Sequence, residues 1–452
     1  MTNTTSAAPF LHITPLRPAV PTEGGPLEVL IRVQAPARPP EPAGAPANKR
    51  IPLRLSLVVD RSGSMDGAPL TEALRCVGHI GALLHPEDQL AVVLYDDKVQ
   101  VPMPLARSPD AQAVALALAG VESGGSTDLH AGWEAGARQL GAGAAGSISR
   151  VLLLSDGQAN HGVTDPAGIT AQCAQWLERG ISTTTVGLGG HFNEDLMVAM
   201  ARAGGGQQYY GQKAEDLFDA FDEELSLLQA MLLRQQRIKP IAAPGVIVEP
   251  LGGALASADG WLPLPDLAWG GEAWMVMRLH VTAAGGPLAD AAGLRTLLAL
   301  SLQGTDMEGN SVALHGAPLQ LPTLPAAQIA AMPADETVSL RLLELHFADV
   351  NVQARELLRD GRVNEARSLL KRTEAVVAGY PWLAAKLTQL QALFERDLEM
   401  SSKEMVFSSR KMRSRLVSAE ASFSGADDTH DIETPAFLRR KASEGTGRKP
   451  SR

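Results

Sequence analysis

The chain of 452 residues has only two cysteines, Cys76 and Cys173. That count excludes a disulfide framework and favours a reducing, cytosolic setting, with both residues read as small buried hydrophobes on helices. No stretch approaches the ~20 consecutive apolar residues that a membrane span needs. Residues Met1 to Val20 also lack the basic start and apolar core of a secretory signal. Positive charge is not in excess: 40 Lys+Arg against 50 Asp+Glu give a formal net charge of -10, which argues against a general nucleic-acid binder. Neither a Gly-x-x-x-x-Gly-Lys-Ser/Thr loop nor a Gly-x-Ser-x-Gly elbow is present. Gly141 to Gly146 does satisfy Gly-x-Gly-x-x-Gly, but it follows a helical pattern and precedes a strand, the reverse of the order that dinucleotide binding requires. What is present is 45% hydrophobic and 20% charged residues, the balance of a soluble globular protein with two or three domains.

Residues 1–50 hold one strand-like run, Pro26 to Val33, followed by a Pro/Ala-rich linker from Pro36 to Asn48. Over residues 51–236 apolar strands alternate with amphipathic helices, the mark of an α/β domain with a doubly wound, mostly parallel sheet. Strands are expected near 53–59, 89–95, 98–102, 150–155, 181–188 and 206–210. Helices are expected over 69–84, 110–119, 129–140, 166–179, 194–203 and 214–234, the last with an apolar stripe for packing on the sheet. Asp96 and Asp97 form a hairpin turn, so one edge strand runs antiparallel. From 237 to 330 short apolar runs without helical period predict a β-sandwich, which the strand at 26–33 is placed to join. Residues 335–400 predict a helical hairpin or bundle. The segment 401–452 predicts a disordered tail, with few apolar anchors.

The chain is organised around Leu57-Val58-Val59-Asp60-Arg61-Ser62-Gly63-Ser64-Met65. A strand buried on both faces ends in an Asp-x-Ser-x-Ser turn, and in an open α/β sheet the crevice beyond the strand ends is where ligands bind. Oxygens at i, i+2 and i+4 suit a hard cation, Mg²⁺ or Mn²⁺ or Ca²⁺, rather than zinc. Alone the motif is equally a capped strand-to-helix turn. Two further stretches add to it. Gly124-Gly125-Ser126-Thr127-Asp128 precedes the third helix and offers the Thr127 hydroxyl, and Val151 to Gly157 is a second buried strand ending in Asp156.

These three stretches together resemble the metal-ion-dependent adhesion site of von Willebrand factor type A domains, over roughly residues 51–236. Gly187 to Leu196 and the later Gly204-Gly205-Gly206 look like bacterial and inter-α-trypsin-inhibitor-heavy-chain-like members. The resemblance implies that Ser62, Ser64 and Thr127 are hydroxyl ligands of Mg²⁺, with Asp60 and Asp156 close by. It implies a binding module rather than an enzyme: a partner protein's Asp or Glu completes the coordination sphere of an under-neutralised ion, as in an intracellular adaptor or scaffold.

Two rivals stand beside that reading. An aspartyl phosphatase or hydrolase also places an Asp where Asp60 is, but the acid expected two residues on is Ser62 here, which leaves no proton donor. An extracellular adhesin conflicts with the missing signal and disulfides. His161 and His191 are ordinary loop histidines. In the tail, Asp431 to Ala442 is an apolar cluster around Phe437 between acidic and basic residues. It is similar to the C-terminal docking peptide of the bacterial tubulin-like division GTPase and suggests a second partner site.

Overall fold

The computed structural model describes residues 8–37, 51–107, 111–144, 146–211, 213–283, 293–413 and 417–418. These fall into two compact units, one built from described residues of 1–40 and 231–427, the other from those of 41–230.

The second unit holds a six-stranded sheet. In spatial order its strands are Val99–Arg107, Gln89–Tyr95, Leu53–Asp60, Ile148–Ser155, Ile181–Leu188 and Gly205–Gly211. Every neighbouring pair is parallel except Gln89–Tyr95 with Val99–Arg107, the hairpin around Asp96 and Asp97. The central strand is buried along nearly its whole length, since helices lie on both faces and a continuous apolar run satisfies both. The chain leaves Leu53–Asp60 toward one neighbour and returns to the other as Ile148–Ser155, so the strand order reverses beside Asp60. Short polar side chains start the helices: Asp128, Asp165 and Asn193 each accept a hydrogen bond from a backbone N–H in the first turn that follows. The last helix, Asp216–Gln229, buries Leu217, Phe221, Leu225 and Leu228. Its Glu224 is buried too, against Arg150 Nη1 (2.6 Å), Thr184 Oγ1 (2.8 Å) and the Tyr209 hydroxyl (2.9 Å).

The first unit is a β-sandwich with helices. One sheet runs Phe10–Pro15, Gly25–Gln34, Gly271–Val281, Val246–Pro250; the other is built on Met231–Ala242, Leu294–Thr305 and Leu319–Leu324. Strand Gly25–Gln34 pairs antiparallel with Gly271–Val281 along its full length. Alternation divides its side chains: Leu27, Val29, Ile31 and Val33 enter the core between the sheets, while Leu30 joins Trp274 and Val276 against Val338 and Leu345 of helix Glu336–Arg359. On that same face Arg341 is enclosed by Glu344 (2.8 Å), Glu272 (3.5 Å) and the ring of Trp274 (4.8 Å). Helices Val363–Val377, Pro381–Arg396 and Leu398–Arg413 complete a bundle with Glu336–Arg359.

Three expectations are corrected. The helix expected to reach Arg234 stops at Gln229, because from Met231 burial alternates and the chain enters strand Met231–Ala242. The expectation of a disordered tail from Ser401 fails over its first residues, since Leu398–Arg413 is a helix. Its Met405, Phe407 and Met412 are buried, and Ser409 Oγ donates to the carbonyl of Ala348. Small serines replace the apolar residues that would have announced it. Residues 1–50 hold two strands besides the expected one: Phe10–Pro15, paired with Gly25–Gln34, and the short Val20–Pro21, paired parallel with Leu319–Leu324. The motif around Phe437 lies outside the described residues. Among the described residues no helix is long and apolar enough to cross a membrane.

Candidate metal site at the switch point

Each candidate oxygen is placed by a strand end or a loop locked to one. Asp60 is the last residue of the central strand and is fully buried. Its Oδ1 accepts from the N–H of Ser62 (2.8 Å), and its Oδ2 accepts from Ser155 Oγ (2.8 Å) and the Tyr95 hydroxyl (3.3 Å). The turn that follows brings Ser62 Oγ within 3.3 Å of Ser64 Oγ. Ser64 in turn donates to Asp156 Oδ1 (2.7 Å) across 92 residues of sequence. Asp156 follows the neighbouring strand Ile148–Ser155.

Thr127 reaches the same place from a third loop. Its backbone N–H donates to Asn160 Oδ1 (2.9 Å), and its carbonyl accepts from the N–H groups of Asn160 and His161 (3.2 Å each). A Cβ built on Gly157 would lie 3.4 Å from Thr127 Oγ1 and 3.6 Å from Ser64 Oγ, so both hydroxyls face the space beside Gly157. All five candidate residues are therefore at one end of the sheet, and Ser64 is within hydrogen-bond distance of both Ser62 and Asp156.

The electrostatics show what this cluster wants. Burial is the largest influence on Asp156 and pushes its carboxyl from 3.8 up to about 6, with the Ser64 hydrogen bond opposing and the nearby Asp60 adding to the rise. Burial also raises Asp60, against hydrogen bonds from Ser62, Ser155 and Tyr95. Two carboxylates held close in a desolvated crevice, with three hydroxyl oxygens beside them, suit a hard divalent cation: it would offset both penalties, and hydroxyl, carboxylate and water are the donors it prefers. The donor set thus fits the group that the sequence implied.

Several further residues build the site, and their sequence signals are weak or ordinary. Asp96 is more than a turn residue: its carboxylate takes Arg61 Nη2 (2.7 Å) and the Lys98 N–H (2.7 Å), and its carbonyl takes the Asp128 N–H (2.8 Å). One residue thereby joins the Asp60 loop, the hairpin and the Thr127 loop. Gly125 has φ 72°, and a Cβ there would press on Asp97 Oδ1 and reach 3.1 Å from Asp96, so only glycine lets the loops meet. Gly132 and Gly136, four apart in helix Leu129–Leu140, sit against Tyr95 and Val58. That spacing inside a helical pattern is a readable sign of close packing. Ser155 and Asn160 carry no such sign. His161 Nδ1 lies 3.4 Å from Asp128 Oδ2, and Gln158 Nε2 donates to the carbonyl of His191 (2.8 Å), so both histidines belong to the loops at this end.

Residues 55–223 match the family model of the von Willebrand factor type A domain. The Synechocystis protein sll0103 is 28% identical over 174 residues, which cover 38% of this chain and 41% of that relative's length. In fold, the chain is similar to a von Willebrand factor type A protein from Catenulispora acidiphila (TM-score 0.69, 14% identity, covering 91% of this chain and 98% of that one). It is also similar to the ArnB paralog VWA2 from Sulfolobus acidocaldarius (TM-score 0.58, 14% identity, 90% and 98%). Both likenesses extend over the sandwich and the helices as well as the six-stranded sheet. The chain thus carries a von Willebrand factor type A domain together with a β-sandwich and a C-terminal helical segment.

Proposed function

We propose that the protein is a metal-ion-dependent protein-binding module acting as an adaptor inside the cell. Ser62, Ser64 and Thr127 would hold a divalent cation, Mg²⁺ first and Mn²⁺ or Ca²⁺ otherwise, with Asp60 and Asp156 beside them. When bound, the cation supplies positive charge that its largely hydroxyl surroundings leave under-neutralised, and so it attracts a carboxylate from outside. The chain's own residues orient and shield. Asp60 fixes the turn through the Ser62 N–H, Asp156 holds the Ser64 hydroxyl, and Ser64 is exposed, so the site opens to a partner's Asp or Glu.

The observation that carries the proposal is the convergence of oxygens from three separate loops on one opening, with a buried carboxyl at Asp60 and a half-buried one at Asp156, both raised by desolvation. Asp60 itself argues for binding over hydrolysis. It is 0% exposed and both its oxygens already accept hydrogen bonds from within the domain, so it is poorly placed to attack a substrate. The intracellular assignment is supported by Cys76 and Cys173, which are free, buried thiols.

The test is affinity capture with the full chain in Mg²⁺, in EDTA, and with Asp60→Ala. A partner held in Mg²⁺ and lost in the other two arms supports the proposal; capture unchanged in EDTA refutes it.

A further inference from the structure

One hydroxyl connects the two acidic arms of the site. Ser155 is the last residue of strand Ile148–Ser155, immediately before Asp156, and is fully buried. Its Oγ donates to Asp60 Oδ2 at 2.8 Å and accepts from the N–H of Gly157 at 3.3 Å. Asp60 and the backbone on either side of Asp156 are therefore clamped to the same atom. The Tyr95 hydroxyl also points at Asp60 Oδ2, but at 3.3 Å, and its single proton is shared with the carbonyl of Leu154 at 3.2 Å. Removing the tyrosine hydroxyl leaves Asp60 its shorter bond. Removing the serine hydroxyl leaves Oδ2 only the longer, shared one, with the Ser62 N–H still on Oδ1, and frees the Gly157 N–H as well.

We infer that Ser155 is the positioning residue of the metal site. It fixes the distance between the Asp60 turn, which carries Ser62 and Ser64, and the Asp156–Gly157 loop, against which the Thr127 and Ser64 hydroxyls face. This inference rests on the metal-binding proposal. A ligand set for a hard cation depends on spacing, so a hydroxyl that ties two of its three loops sets affinity without touching the ion. Ser62 and Ser64 hold their own turn, and Asp156 reaches back only to Ser64. The Ser155 bond links the central strand to its neighbour beneath that turn.

The experiment measures Mn²⁺ binding to the full chain by the electron paramagnetic resonance of free Mn²⁺. The variants are Ser155→Ala, Ser155→Cys and Ser155→Thr, with Ser149→Ala as a control. Cysteine keeps the volume but is a weak donor, and threonine keeps the hydroxyl. Ser149 is a buried serine on the same strand, bonded instead to Arg54. The expected result is at least a tenfold loss of affinity for the alanine and cysteine variants, with the threonine variant and the Ser149 control within threefold of the unaltered chain. Thermal unfolding in EDTA is recorded for all of them; a merely structural serine would lower that midpoint and leave Mn²⁺ affinity unchanged. If Ser155→Ala does not fold, the cysteine variant carries the comparison. Unaltered affinity in the folded alanine or cysteine variant overturns the inference, as does a folded threonine variant as weak as they are. Absence of Mn²⁺ binding by the unaltered chain overturns the metal reading itself, and the inference with it.

Discussion

Gly132→Ala tests how tightly the helix behind the site is seated. Gly132 lies one turn into helix Leu129–Leu140, whose N-cap Asp128 directly follows Thr127. In an unhindered helix the exchange favours alanine by about 1 kcal/mol, because glycine loses more backbone entropy on folding. Here a Cβ would come within 2.8 Å of three atoms of Tyr95: Cβ, Cγ and Cδ1. The ring cannot swing aside. It is fully buried, and its hydroxyl is bonded to Asp60 Oδ2 (3.3 Å) and the Leu154 carbonyl (3.2 Å). Overpacking of this kind costs about 1–3 kcal/mol, and the upper part of that range applies where neighbours are fixed. The expected net effect is a loss of roughly 1–2 kcal/mol. Gly78, within helix Ala68–Leu83, has open space where a Cβ would stand, with no atom within 4 Å, so Gly78→Ala should gain roughly 0.5–1 kcal/mol instead.

The assay can be confined to the right unit. The chain's two cysteines lie in helices Ala68–Leu83 and Pro166–Glu178, both in the unit that contains Gly132. Labelling of these thiols as temperature rises reports unfolding of that unit, free of signal from the sandwich. At roughly 2–4 °C per kcal/mol for a unit of this size, Gly132→Ala should lower the midpoint by roughly 2–8 °C while Gly78→Ala raises it. A higher midpoint in both variants would refute the close seating of the helix.

Three other outcomes are expected. In the unaltered native chain at pH 8 neither thiol reacts with Ellman's reagent, because burial pushes both from 9.0 up to about 12 and the nucleophilic thiolate is absent; denaturant should release two reactive thiols. Saturating Mg²⁺, at about 100 times its dissociation constant, adds roughly 2.7 kcal/mol to the folded state, so the labelling midpoint should rise with Mg²⁺ and fall back in EDTA; an unmoved midpoint contradicts the metal site. Arg341→Met removes the cation that the buried carboxylates of Glu272 and Glu344 share, leaving Glu272 its contacts with Arg32 and Gln34, and should destabilise the sandwich and its first long helix by about 3 kcal/mol, read by calorimetry of the full chain, with Glu344→Gln in the same chain restoring part of the loss.

The α/β part is legible in the sequence because its signals are local. Leu53 to Val59 carries no charge after Arg54 and ends in the apolar run Leu57-Val58-Val59, as a strand buried on both faces requires, and the alternation of such runs with helical periods marks a mostly parallel sheet. The Asp-x-Ser-x-Ser spacing, the Gly-Gly-Ser-Thr-Asp stretch and the strand ending at Asp156 carry their own chemistry. Helix Leu398–Arg413 is hidden because its buried positions include Ser401, Ser408 and Ser409, and serine in a sequence counts toward a loop. The strand at Phe10–Pro15 is hidden because it lies at a sheet edge and is only partly buried, so that pairing with Gly25–Gln34 defines it rather than its own residues.

The same distinction runs through the site. A ligand-type residue announces itself by kind and spacing, whereas a residue that positions one does so only through a partner far away in sequence. Asp96 reads as half of an Asp-Asp turn until Arg61 and the Asp128 N–H are placed around it. Ser155 reads as the polar end of a strand until Asp60, 95 residues earlier, is found 2.8 Å from its hydroxyl. The central strand places both partners: Leu53–Asp60 lies between Gln89–Tyr95 and Ile148–Ser155, so whatever ends those two strands must meet Asp60. Tyr95 ends one, Ser155 ends the other, and both donate to the same carboxylate oxygen. Strand order is thus the quantity that converts a motif into a site, and it is set by long-range pairing that no local window contains.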